Sequence, residues 1–231
     1  MIKAVLFDSD DTLLDFTMAE HIALKKTFEE VGIEPAEDTI SLYSEINKRH
    51  WEMLERGELT RQQVLIKRFD RFFEAIGIDG DSEATQKLYN HNLGIGHYFI
   101  PGAVELLESL YGNYKLYLVT NGNESVQVPR LQSADIGHFF EEIFISQRIG
   151  WDKPSIEFFD KCFAAMPPYE KDEMIIIGDS LTSDIKGGIN AGIHTCWFNP
   201  HGKKGREDIV PEYVVSALED IPELLEKIKK A

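Results

Sequence analysis

Between the apolar run Val5-Leu6-Phe7 and the next strand-like run, KLYLVT (Lys115–Thr120), residues 8–114 intervene. A parallel crossover with its helix needs only about 30 residues, so the first crossover must carry an inserted domain. The insert reads as helical throughout. TMAEHIALKKTFEEVG opens with Thr17 and Glu20 at capping-box spacing and closes at Gly32. Helical patterns follow over 38–56, 60–76 and 82–93, broken by Gly57 and by GIDGD. Short connections between helices of this length suggest a small antiparallel bundle.

From Pro101 the rhythm changes. Helix GAVELLESLY precedes strand KLYLVT, and a further helix leads to strand EIFIS (142–146). SIEFFDKCFAAM leads to EMIIIGD (173–179), and TSDIKGGINAG to HTCWFN, with a short YVVS and a terminal helix from Asp220. Continuous apolar strands alternating with helices predict an α/β fold, a parallel sheet covered on both faces. A chain of 231 residues can supply such a core and a smaller companion. The expected division is a core of residues 1–15 and 99–231 and a helical cap of residues 16–98.

Ligands bind such sheets beyond the carboxyl ends of the strands, and the chemically capable residues gather there. Asp8, Asp10 and Asp11 follow the first strand, and Thr120, Asn121 and Gly122 end the second. Lys153 comes after the third, and Asp179 ends the fourth, with Asp184 five residues on. Carboxylates crowded at the end of a buried strand repel one another and resist desolvation. A divalent, oxygen-binding cation among Asp8, Asp10 and Asp179 relieves that conflict. Magnesium suits it, because it takes few carboxylates and leaves room for a phosphate oxygen. No His/Cys spacing of the zinc type is present. An ionised Asp8 beside a bound phosphate can act as nucleophile. Asp10, two residues on and on the same side of an extended strand, can serve as general acid and then base. Thr120 and amides near Asn121 and Gly122 would bind phosphoryl oxygens, Lys153 would balance charge, and Asp184 would buttress the metal's water shell.

The motifs DSDDT, VTNG, KP and GDSLTSD resemble, in order and spacing, the four signatures of the haloacid dehalogenase superfamily. The helical insert resembles that superfamily's subclass I cap. The resemblance implies a Rossmann-like core with Asp8 as nucleophile, Asp10 as general acid/base, Thr120 and Lys153 on the phosphoryl group, and Asp179 and Asp184 completing a magnesium site with Asp8 and Asp10. It puts Asp11 where the backbone amide is expected near the phosphate. The dehalogenase branch lacks the second acid, so Asp10 points to phosphoryl transfer. More narrowly, DDTLLDF, VTNG, IIGDSLTSDIKGG and AGIHTCWFNP are similar to bacterial pyrimidine 5'-nucleotidases. That implies a nucleoside monophosphate as the small phosphomonoester substrate. Sugar-phosphate phosphatases, phosphomutases and catalytically silent binding modules share the scaffold and stay as alternatives.

Two departures stand out. Ser9 occupies a usually apolar position and is expected to point away from the catalytic side. GNESVQVPRL replaces a different polar run, and its Pro129 is harmless only in about the first turn of a helix, so the helix is expected to start near Ser125. Phe16 is either a stacking residue for a base or hinge packing. His50 and Trp51 read as surface and packing residues, the segment 97–99 as interdomain packing, and Trp151 as an anchor for the Lys153 loop.

The net charge of −16 argues against a nucleic-acid polymer as partner. The sequence has no apolar run of membrane-spanning length. Two cysteines, and no basic region followed by an apolar stretch at the amino terminus, point to the cytoplasm.

Overall fold

A computed structural model describes residues 1–228. Six parallel strands form one sheet in the order β3-β2-β1-β4-β5-β6: β1 Ala4–Phe7, β2 Lys115–Thr120, β3 Glu142–Ile145, β4 Met174–Gly178, β5 His194–Phe198 and β6 Tyr213–Val215. The two central strands, β1 and β4, carry no polar side chain and are buried throughout. Val5 and Phe7 belong to a core with Leu107 and Ile221, while Ala4 and Leu6 pack on the other face with Phe158 and Phe159. Successive side chains point to opposite faces, so one short strand supplies two cores.

Helices α1 Phe16–Glu30, α2 Glu37–Glu55, α3 Arg61–Ile76 and α4 Ser82–Ile95 form the insert between β1 and β2. Their own core is aromatic: Phe28 stacks on Phe72 at 4.9 Å, and Tyr43 packs among Phe69, Phe72 and Tyr89. The remaining helices, α5 Ala103–Leu110, α6 Glu124–Ala134, α7 Ser146–Ile149, α8 Ile156–Ala165, α9 Lys186–Ala191 and α10 Ile221–Ile228, flank the sheet. No helix among the described residues is long and apolar enough to cross a membrane.

Two local expectations are corrected. The cap of α1 is Asp15, whose Oδ1 accepts from the Met18 amide at 2.7 Å. Glu20 is not its capping-box partner; it is buried, accepting from Asn47 at 2.7 Å and Tyr89 at 3.2 Å. The capping box belongs to α3, between Thr60 and Gln63. Pro129 lies in the second turn of α6, which begins one residue earlier than expected, at Glu124. Proline there removes the amide that would bond the Ser125 carbonyl. That carbonyl faces Gly94 of α4, against which α6 packs.

Candidate active site

The register puts the acids side by side. Phe7 pairs with Leu118 on one side and Ile177 on the other, so Asp8 emerges between the ends of β2 and β4. Lys153 arrives from the loop after α7 and is 1% exposed. Its Nζ donates to Asp8 Oδ1 at 2.7 Å, to Asp184 Oδ1 at 2.6 Å and to the Val119 carbonyl at 2.7 Å. All three ammonium protons are thereby used. Burial works against this charge, but Asp184 and Asp8 overrule it and hold the lysine's pKa above its usual value. Burial pushes Asp8 well above the usual carboxylate range, despite Lys153. Asp179 is likewise pushed up to about 7 by burial, with Asp184 adding to the effect.

Carboxylate oxygens of Asp8, Asp179 and Asp184 lie within 4.8 Å of one another. Asp184 reaches this group because residue 178 is glycine: a Cβ there would collide with the Asp184 carboxyl group. Its Oδ2 accepts from the Ser180 amide at 3.1 Å. Asp184 was expected behind the group and instead stands in it, on Lys153. Thr12, buried and given no role by its place in DSDDT, ties the two motif strands together. Its hydroxyl accepts from the Asp179 amide at 3.1 Å and donates to Asp8 Oδ2 at 3.5 Å.

The other motif residues divide between the site and its scaffold. Thr120 is buried at the end of β2, and its hydroxyl accepts from the Gly122 amide at 3.1 Å. The loop's anchor is the Asn121 side chain, which grips Lys153 by its backbone, while Trp151, expected in that role, is 47% exposed. Asp11 adopts φ 56°, a left-handed conformation that Asp tolerates better than most residues. Its amide donates to the Leu14 carbonyl at 2.7 Å, and its carboxylate accepts from the Thr17 amide at 3.0 Å. The amide expected near the phosphate is thus committed to the turn leading into α1.

Asp10 turns away from the other acids. Its carboxylate, expected among the metal ligands, pairs with the fully buried Arg130 and accepts from Gln127 Nε2 at 2.5 Å. Separating it from Asp8, Asp179 and Asp184 avoids a fourth like charge in one desolvated cluster.

The profile of the haloacid dehalogenase-like hydrolases matches residues 5–198. The chain belongs to this family. It is 35% identical to the pyrimidine 5'-nucleotidase PynA of Streptococcus pneumoniae, over 97% of this chain and 95% of that one. It is 31% identical to the pyrimidine 5'-nucleotidase YjjG of Escherichia coli, over 96% of each chain. A magnesium-bound crystal structure of the HAD-hydrolase YfnB of Bacillus subtilis superposes with a TM-score of 0.93 at 38% identity, covering 97% of this chain and 98% of that one.

In this haloacid dehalogenase-like hydrolase the helical insert reaches the sheet edge with three side chains. Arg61, at the start of α3, donates to the Asn121 carbonyl at 2.7 Å, pairs with Asp152, and lies 5.5 Å from the Trp51 ring. Glu55, at the end of α2, approaches Thr182 beside the Asp184 turn; burial pushes its carboxyl up to about 7, and its Oε2 has no hydrogen-bond partner. The Phe16 ring packs against the insert core 5.8 Å from the Arg130 guanidinium. Tyr98 packs on the insert core and Phe99 on the sheet core, so this return segment joins the two. Lys203, from the loop after β5, donates to Asp179 Oδ2 at 3.3 Å.

Proposed function

We propose that this hydrolase is a magnesium-dependent phosphomonoesterase acting on nucleoside 5'-monophosphates, with pyrimidine nucleotides preferred. The observation that carries the reading is the division of the acids. Asp8 shares the Lys153 ammonium with Asp184, while Asp10 is held apart by Arg130 and Gln127. Two carboxylates in separate surroundings can take separate roles, one as the ionised nucleophile and the other as the group that gives and takes the proton.

Asp8, Asp179 and Asp184 fit a divalent cation that prefers oxygen: their hard carboxylate oxygens converge within 4.8 Å of one another. Bound there, magnesium supplies positive charge to the phosphoryl oxygens and keeps the acids ionised. The chain's own residues do the rest. An Asp8 oxygen attacks phosphorus, the ester P–O bond breaks, and the proton on Asp10 passes to the leaving oxygen. Asp10 then takes a proton from water, whose oxygen attacks the aspartyl-phosphate and releases inorganic phosphate with Asp8 restored. Lys153 stabilises the charge on the transferring group, and the Thr120 hydroxyl lies at the strand end that faces it. Residues 16–98 act as a cap that closes over the site through Arg61 and positions the leaving group.

The pyrimidine preference rests on likeness to PynA and YjjG. The test is phosphate release from purine and pyrimidine ribo- and deoxynucleotides, sugar phosphates and a nitrophenyl ester, with magnesium and then with chelator. Chelator-sensitive turnover favouring pyrimidine nucleotides is expected. Preference for sugar phosphates would overturn the substrate class, and silence across the set with folded protein would overturn the activity.

A further inference from the structure

Asp10 is held by a cradle built from its own neighbour Ser9 and from two residues of α6. Gln127 donates to Oδ2 at 2.5 Å, and Arg130 pairs with Oδ1, so each carboxylate oxygen has its own donor. The Gln127 amide is itself oriented: its Oε1 accepts from the Ser9 hydroxyl at 3.5 Å, leaving the NH2 end toward Asp10. Ser9, Gln127 and Arg130 are all at most 1% exposed. Gly122 leaves the space that Gln127 occupies, because a Cβ there would clash with the amide.

Arg130 is an odd choice for structural support. Burying a guanidinium is costly unless its nitrogens are satisfied, yet Nε and Nη2 make no hydrogen bond, and Asp10 is the one acid paired with it among the described residues. A buried cation with one partner holds that partner in place more than it holds the fold together. The Phe16 ring beside the guanidinium closes the cradle from the side of the insert.

We propose that Ser9, Gln127 and Arg130 are positioning residues for Asp10, fixing the general acid/base against the leaving group. This rests on the phosphatase reading above. It gives both departures in the sequence one purpose: the polar run after VTNG supplies both donors to the Asp10 carboxylate, and the serine in DSDDT bonds to one of them.

Selectivity for the leaving group tests the assignment. A nitrophenolate leaves without protonation, whereas an alkyl oxygen needs the acid. The value of kcat/KM, which reports steps up to the first P–O cleavage, is measured for an alkyl monophosphate and for 4-nitrophenyl phosphate. Positioned acid–base groups contribute roughly 10²–10⁴-fold, so Gln127→Leu and Arg130→Lys are expected to lose at least about tenfold more on the alkyl ester than on the aryl ester. Asp10→Asn is the reference and should show the same selectivity more strongly. Ser9→Ala should shift the ratio in the same direction by about twofold to fivefold, a minor share of that contribution. A merely structural role lowers both substrates together. If Asp10→Asn is selective and the Gln127 and Arg130 variants are not, the cradle assignment is overturned and the phosphatase reading stands. If Asp10→Asn itself shows no selectivity, the role given to Asp10 fails, and the cradle assignment with it.

Discussion

Asn121 holds Lys153 by both ends of its backbone. Its Nδ2 donates to the Lys153 carbonyl at 2.8 Å and its Oδ1 accepts from the Lys153 amide at 2.8 Å. A side chain at the end of β2 therefore fixes the loop that carries the ammonium group to Asp8, and the lysine needs no neighbouring anchor.

Replacing Asn121 by Ala should free that loop. Two neutral hydrogen bonds are worth about 1–3 kcal/mol together, and a displacement near 1 Å at a reacting group costs about 10²-fold in rate. Thermal unfolding should shift modestly while kcat/KM falls about 10–100-fold. Equal losses of stability and activity, removed at low temperature, would instead mark Asn121 as a fold residue.

Lys153→Met would leave Asp8 and Asp184 buried without their cation. Breaking a buried pair in this way costs about 3–5 kcal/mol. The loss of stability should be largest in chelator and partly reversed by millimolar magnesium, measured as the melting temperature of each variant in both conditions. An identical loss with and without magnesium would separate Lys153 from the metal group.

Arg61 is the clasp between α3 and the sheet edge. Arg61→Ala should raise KM and lower kcat together, because closure both shields the site and completes it. Arg61→Lys should recover little, since an ammonium on a flexible stem does not reproduce the planar fork that reaches Asn121 and Asp152 at once. Steady-state kinetics on both variants decides this.

Glu55 makes stability depend on pH. Its carboxyl is raised by burial from 4.5 to about 7. The folded state thus holds a proton that the unfolded chain releases near 4.5. The resulting stabilisation is fully present below about 4.5 and is lost as pH rises through about 7. Its size is a few kcal/mol at most. Glu55→Gln should be more stable than the parent protein at pH 8 and similar to it at pH 4.5, read from denaturant unfolding in chelator. A parallel pH dependence in the two proteins would contradict the assignment.

How far the sequence reached follows from the range of each interaction. The six strands were readable because each is a short, continuous apolar run bounded by turn residues, and the strand-end acids follow from where those runs stop. Asp8, Asp179, Asp184 and Lys153 come together simply because parallel strands end on one edge. The cap of α1 was misplaced because Thr17 and Glu20 satisfy a local spacing rule, while Glu20 is drawn inward by Asn47 and Tyr89, which are distant in sequence. Asp10 was grouped with the other acids by proximity in sequence, yet its partners lie more than a hundred residues away, at Gln127 and Arg130. Arg61 and Glu55 have no spacing signal at all, whereas Thr12 stands within DSDDT with nothing local to show that it reaches the Asp179 amide. A buried Arg in the second turn after VTNG, next to a proline, was the available hint.

The most direct test is the location of the covalent intermediate. The enzyme is quenched in acid during turnover of a good substrate with magnesium, digested and read by mass spectrometry. A phosphoryl group on Asp8, absent in chelator and absent in Asp8→Asn, is the predicted result. Sustained turnover by Asp8→Asn, or a phosphoryl group carried by another residue, would contradict it.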